Sequence, residues 1–189
     1  EFVDNVSTEI KRQLKLEINI LNEVFVVDDK QKCLEKEIDL IQACINRMAK
    51  NSFVVKGWAI TLASVILALL PENIDIKILS LIVLVSTLCF WYIDAFFLKT
   101  EKLYRWKYEW VIANRHKNEH YKYDLNPYNK NMWMKSNKTE RKAPCIIRVM
   151  FTKTLVPLYG LLISLSVFLF INSYFNFIDV LIVSGTVAT

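Results

Sequence analysis

Two ionisable residues stand inside apolar runs: Lys56 in FVVKGWAITLASVILALL and Asp94 in ILSLIVLVSTLCFWYIDAFFL. A charge at membrane depth is costly unless it finds a partner, water or a route to the surface. Lys56 lies one turn inside the start of the first run, and Asp94 lies one turn inside the end of the second. If the runs are antiparallel neighbours, the two charges fall at the same depth and are expected to pair or share a polar cluster. Such a pair can gate an ion path or lock two helices together. The lysine can also snorkel to the interface without a partner.

A second set follows Asp94. Lys99, Lys102, Arg105 and Lys107 mix with Trp106 and Trp110, and Leu103, Trp106, Trp110 and Ala113 share one helical face. Aromatic and basic residues together stack nucleobases, form headgroup belts or pack on another helix. Candidate partners are therefore a nucleic acid or cyclic nucleotide, the anionic lipids of an inner leaflet, and a cytoplasmic protein. Farther on, Arg141, Lys142 and Arg148 surround the segment Cys145–Met150, which suits a short helix lying on an anionic membrane face. His116 and His120 are four residues apart, but a metal site needs further ligands and only Glu119 and Asp124 are near. Surface histidines are expected, with no metal and no cofactor. Cys33, Cys44, Cys89 and Cys145 form no CxxC pair and read as structural thiols. GxSxG, HExxH, Walker and GxGxxG patterns are all missing, and 3 glycines leave little for a phosphate cradle. No catalytic residue is assigned, and a non-enzymatic protein is expected.

These residues need elements to hold them. With 53% hydrophobic and 23% charged residues and a mean hydropathy of +0.25, the apolar positions must be segregated from the charged ones. Three apolar runs do this, so the expected fold is an all-α integral membrane protein with three transmembrane helices. Residues 1–52 form an N-terminal region with no legible leader. There Ile10, Leu14, Ile18 and Leu21 have helical spacing, while Leu14, Leu16, Ile18 and Ile20 alternate as a strand would. A second helix, capped by Asp28 or Asp29, carries an apolar stripe of Leu34, Ile38, Ile41, Ile45 and Met48. Residues 53–98 form a transmembrane hairpin with spans at about 53–70 and 78–98. The second span continues as one rod to His116, because no Gly or Pro interrupts Ile78–His116. Residues 99–153 give a basic helix and loop, 154–172 a third span, and 173–189 a short apolar tail that is interfacial, re-entrant or extracytoplasmic.

Residues 99–153 hold 14 Lys/Arg against 5 Asp/Glu, whereas residues 172–189 hold no Lys or Arg. The positive-inside rule then places the basic loop and the N-terminal region in the cytoplasm, and the Pro71–Lys77 link and the tail outside. Pro144 suits the first turn of a helix, and Pro157 should bend or restart the third span. Small residues four apart, Gly57 with Thr61, Ala59 with Ala63 and Gly160 with Ser164, allow close helix contact and make a homo-oligomer the expected state.

Three segments, INRMAKNSFVVKGWAITLAS, FWYIDAFFLKTEKLYRWKYEWV and FTKTLVPLYGLLI, resemble a family of small bacterial inner-membrane proteins with no assigned activity. The resemblance spans the apolar runs and their cytoplasmic junctions, including Lys56, Gly57, Trp58, Asp94 and Glu101, and implies an inner-membrane location. More loosely, a helical cytoplasmic part joined to short spans is similar to the membrane effectors of anti-phage systems. That likeness implies a triggered assembly that makes membranes leak. A passive anchor or scaffold, and a receptor for a nucleotide signal, are the other expectations.

Overall fold

The computed structural model describes residues 2–68, 76–133, 135–136 and 139–175. Its long elements are all helical, and three of them are long and apolar enough to cross a membrane. Helix α1 runs from Phe2 to Ala68 and helix α2 from Ile76 to Asn114. At 1.5 Å per residue they are ~100 Å and ~58 Å long, well beyond a ~30 Å hydrocarbon core, so each continues as a polar stalk. After α2 the chain loops back through a 3-10 turn at Lys130–Met132 and a two-residue antiparallel ladder, β1 (Lys135–Ser136) on β2 (Thr139–Glu140). A short helix α3 (Ile146–Met150) then leads into α4 (Val156–Phe175).

The N-terminal ambiguity resolves as helix. The expected start of a second helix at Asp28 or Asp29 does not occur, and α1 runs unbroken into the first span. No Gly or Pro lies between Phe2 and Lys56 to stop the helix. Asp28 has another partner, pairing with Lys32 one turn on. The α2 rod ends at Asn114, two residues short of the expected His116. There the Asn114 amide donates to the Trp110 carbonyl at 2.9 Å, satisfying one of the helix's last acceptors. Pro144 precedes the α3 cap, Cys145, instead of lying in its first turn, while Pro157 falls in the first turn of α4, where its missing N–H costs nothing. The tail beyond Phe175 and most of the Pro71–Lys77 link lie outside the described residues.

Helix α2 is the central element, for α1, α3 and α4 all pack on it. Three apolar clusters line it. Ile66, Leu79 and Val83 close the end near the α1–α2 connection. At the other end of the spans, Ala59 and Ala63 of α1 meet Trp91 and Ala95 of α2, Val149 of α3, Leu155 of the turn that follows it, and Tyr159 and Leu162 of α4. In the stalk, Ile41 and Cys44 pack on Tyr104, Trp110, Val111 and Met132. The heptad spacing of Ile38, Ile41, Ile45, Met48, Ser52, Val55 and Ala59 keeps one α1 face on α2 through both stalk and span.

Candidate functional site

The structure brings Lys56 and Asp94 together and adds two residues that sequence reasoning missed. Lys56 Nζ lies 2.7 Å from Asp94 Oδ2 and 2.9 Å from Oδ1. One turn before Lys56, the Ser52 hydroxyl donates to Asp94 Oδ1 and accepts from Lys56 Nζ at 2.7 Å. From α4, the Tyr159 hydroxyl donates to Asp94 Oδ2 at 3.0 Å. The Asp94 side chain is 0% exposed and that of Lys56 26%. One carboxylate thus joins α1, α2 and α4, with both oxygens satisfied as a buried charge requires. Ser52 was legible as the hydroxyl four residues before Lys56 on the same face. Tyr159 was legible only as a polar tip two residues after Pro157. Neither spacing says that α4 lies against this turn of α2.

The node sits beside the aromatic junction that docks α3. Trp91 donates its indole N–H to the Met150 carbonyl at 3.0 Å, stacks on Tyr159 and meets Phe151 edge-on at 5.3 Å. α3 leaves Ile147 and Phe151 exposed beside exposed Arg148, and Lys142 is also exposed. This apolar and basic surface at the level of the node fits a helix in the headgroup region.

A second polar centre, also missed, closes the stalk. Arg115 grips Glu37 bidentately, with Nε 2.7 Å from Oε2 and Nη2 2.5 Å from Oε1. Its remaining N–H groups donate to the carbonyls of Asn118, His120 and Tyr121. Both side chains are buried. This clamp explains the loop backbone, because Tyr121 and Tyr123 adopt left-handed conformations with φ of 61° and 58°. Such bulky residues stay there only when their surroundings impose it. Here Arg115 holds the carbonyls, and the Tyr123 N–H donates to Glu37 at 3.3 Å. The sequence signal was Glu37 itself, a charge within the apolar stripe of Leu34, Ile38 and Ile41.

The rest of α2's stalk face also holds loop carbonyls. Tyr104 donates to Leu125 O and Lys107 to Asn126 O, both at 3.0 Å. Lys107 was expected to supply surface charge; it is wholly buried, and burial lowers its pKa against the opposing pull of Asp124. Burial and the adjacent Cys44 thiol push the Tyr104 hydroxyl up to about 12, so it remains a donor at neutral pH. For Asp124, burial pushes upward, but the Asn129 side chain, the Asn126 N–H and Lys107 outweigh it and leave the carboxyl below its ordinary value.

The expected contact surface therefore divides. Trp110 is 9% exposed, in the core with the Arg115 guanidinium over its ring, and is not free to meet a partner. Trp106 is half-buried against Trp133, with Lys102 and Arg141 over its ring at 5.5 Å each. Arg141 also reaches Glu109 at 2.6 Å, and Arg105 pairs with Glu101. The aromatic platform that could stack a base is spent on holding the loop. Lys99 and Arg141 are half-buried; Lys102 and Arg105 are exposed but engaged by Trp106 and Glu101, and Lys142 and Arg148 are exposed on the α3 side. Of the small residues, Ala59 and Ala63 are buried between helices, while Gly57 and Ser164 are exposed, and a Cβ at Gly57 or Gly160 would meet nothing within 4 Å. Among the described residues, no cluster of His, Cys, Asp or Glu is placed to hold a metal ion.

No family model, curated protein or solved structure matches this chain.

Proposed function

We propose that this chain is a non-enzymatic, self-assembling membrane protein whose stalk passes an event to its spans and changes membrane permeability. The observation that carries this reading is the Ser52–Lys56–Asp94–Tyr159 node. It ties all three candidate spans together at the level where the two longest helices leave the apolar layer. Because α1 and α2 continue from stalk into span without a break, a displacement of the stalk reaches the node as rigid-body movement. Parting Lys56 from Asp94 costs several kcal/mol, roughly what separates two discrete arrangements of a packed helix pair. The excess of Lys and Arg in residues 99–153 supports a cytoplasmic stalk and loop, with exposed Lys142 and Arg148 suited to an anionic leaflet, and the family resemblance motivates an inner-membrane location. A membrane effector of an anti-phage system has this layout, and that architectural likeness motivates the reading.

Dye release from vesicles reconstituted with the purified chain tests it. Wild type is expected to be tight or weakly leaky, and Asp94→Asn, which weakens the node, to leak at least several-fold faster. Equal, negligible release from both, with and without the product of a neighbouring gene, removes the permeability reading. One observation favours a passive anchor or scaffold instead: every polar group of the node is satisfied by another, as in a permanent lock. Under that reading neither protein leaks, and the stalk pulls down the same partner from both.

A further inference from the structure

We infer that the N-terminal part of α1 is the surface through which copies of this chain assemble, as a parallel bundle of three or more stalks. α2 stops at Asn114, level with Glu37 of α1; the following loop still flanks α1 as far as Lys30, which pairs with Glu119, and beyond it the helix runs on toward Phe2 with its apolar residues exposed. Along that stretch the large apolar side chains from Ile10 to Val27 are each 51–67% exposed. At 100° per residue all but Val26 fall on one arc ~200° wide, while Lys11, Arg12, Lys15, Asn19, Asn22 and Glu23 take the other side. Monomeric surfaces keep contiguous apolar patches to ~300–600 Å². This arc, more than half exposed along ~27 Å of helix, exceeds that.

Three features specify the occupant. The seven-residue ladder that packs α1 on α2, whose last covered member is Leu34, runs on in phase past the end of α2 through Val27, Val24 and Ile20, interrupted by Gln31. The same knobs are presented, with no helix of this chain to receive them. Second, α1 is unbroken, so Phe25 stands ~42 Å along the rod from Phe53, and a rod leaving the bilayer cannot lay this face back on it. Third, copies held in one bilayer are already parallel and in register, which places Val24 against Val24 at high effective concentration. A two-stranded seam needs only a narrow strip of a and d positions. An arc of ~200° covers neighbours on two sides, hence three or more chains. Gln13 and Glu17 inside the arc weaken the bundle but fix its register, as single polar core positions do.

The inference deepens the self-assembly proposed above and stands apart from whether the assembly conducts. The test uses the full chain in detergent, with mass read by light scattering, and disulfide capture in native membranes. Wild type and the polar-face control Asn22→Glu are expected at three or more chains. Leu21→Glu and Val24→Glu are expected to fall at least threefold in mass without loss of helix content, since both positions are exposed. In a background with the native cysteines changed to serine, Leu21→Cys should cross-link copies in membranes and Asn22→Cys should not. Oligomers that survive Leu21→Glu, equal cross-linking from both faces, or a stalk that stays single in membranes overturns the proposal. So does a single stalk that binds a different protein or lipid vesicles. Oligomers with no dye release keep this inference and remove the permeability reading.

Discussion

At the scale of single residues, the two ends of the Lys56–Asp94 pair are unequal. Asp94 is fully enclosed, whereas a quarter of the Lys56 side chain is exposed. Removing Lys56 strands a buried anion with two hydroxyl donors; removing Asp94 leaves a lysine that can snorkel outward. Lys56→Met should therefore cost about 3–5 kcal/mol, more than Asp94→Asn. The double substitution should cost less than the sum of the single ones, as coupled contacts do. Thermal unfolding in detergent measures all three, and strict additivity would show that the charges do not interact. Asp124 offers a pH-dependent counterpart in the stalk. Its folded pKa lies below the ordinary 3.8, so its contribution is present at neutral pH and lost as pH falls through that depressed value. The stability difference between wild type and Asp124→Asn should be constant from pH 7 to near 5 and then shrink toward zero. A quarter of its side chain is exposed, so that difference should stay under about 1 kcal/mol. A difference that grows on acidification would reverse the sign argued here.

Elements differ in what holds them. The loop after α2 has little regular structure; it is fastened by side chains of one α2 face, Tyr104, Lys107 and Arg115, to its own carbonyls. Arg115→Lys should not substitute, because an ammonium cannot grip Glu37 bidentately and reach three carbonyls as well. The expected result is rapid proteolysis within residues 116–133 while α1 and α2 remain helical by circular dichroism. Wild-type resistance in that variant would mean that the clamp is dispensable. For the apolar helices, Gly57→Ala and Gly160→Ala meet no atoms within one chain. Each should leave monomer stability unchanged or raise it by about 1 kcal/mol, the ordinary helix preference of alanine. A clear loss of stability would place another helix against those positions.

For the whole molecule, the antiparallel pairing of α1 and α2 puts the N-terminal stalk and the loop at the same end. Trypsin should cut residues 11–50 and 115–142 from one face of oriented vesicles, and from the cytoplasmic face if the proposed orientation holds. Cleavage of the two regions from opposite faces would contradict the helix packing itself. The same arrangement explains how the stalk is held: α2 and the returning loop cover the α1 face at Ile41 and Cys44, so its helix rests on tertiary packing as well as on propensity.

Composition and run length were enough to establish three helices able to cross a membrane and a second span drawn out into a stalk, because these depend on local hydrophobicity and on the scarcity of Gly and Pro. The level of Lys56 and Asp94 was also legible, since a hairpin of helices sets depth by counting. Tertiary structure decided the rest. Asp28, read as a possible cap, pairs instead with Lys32 inside a continuous helix, so the local signal for a break misled. Tyr159 reached Asp94, and Arg115 reached Glu37, across 65 and 78 residues of chain. Whether Trp110 faces a partner or the core depends on where the loop folds back. No periodicity within one helix carries that information, because burial belongs to the pair of surfaces that meet.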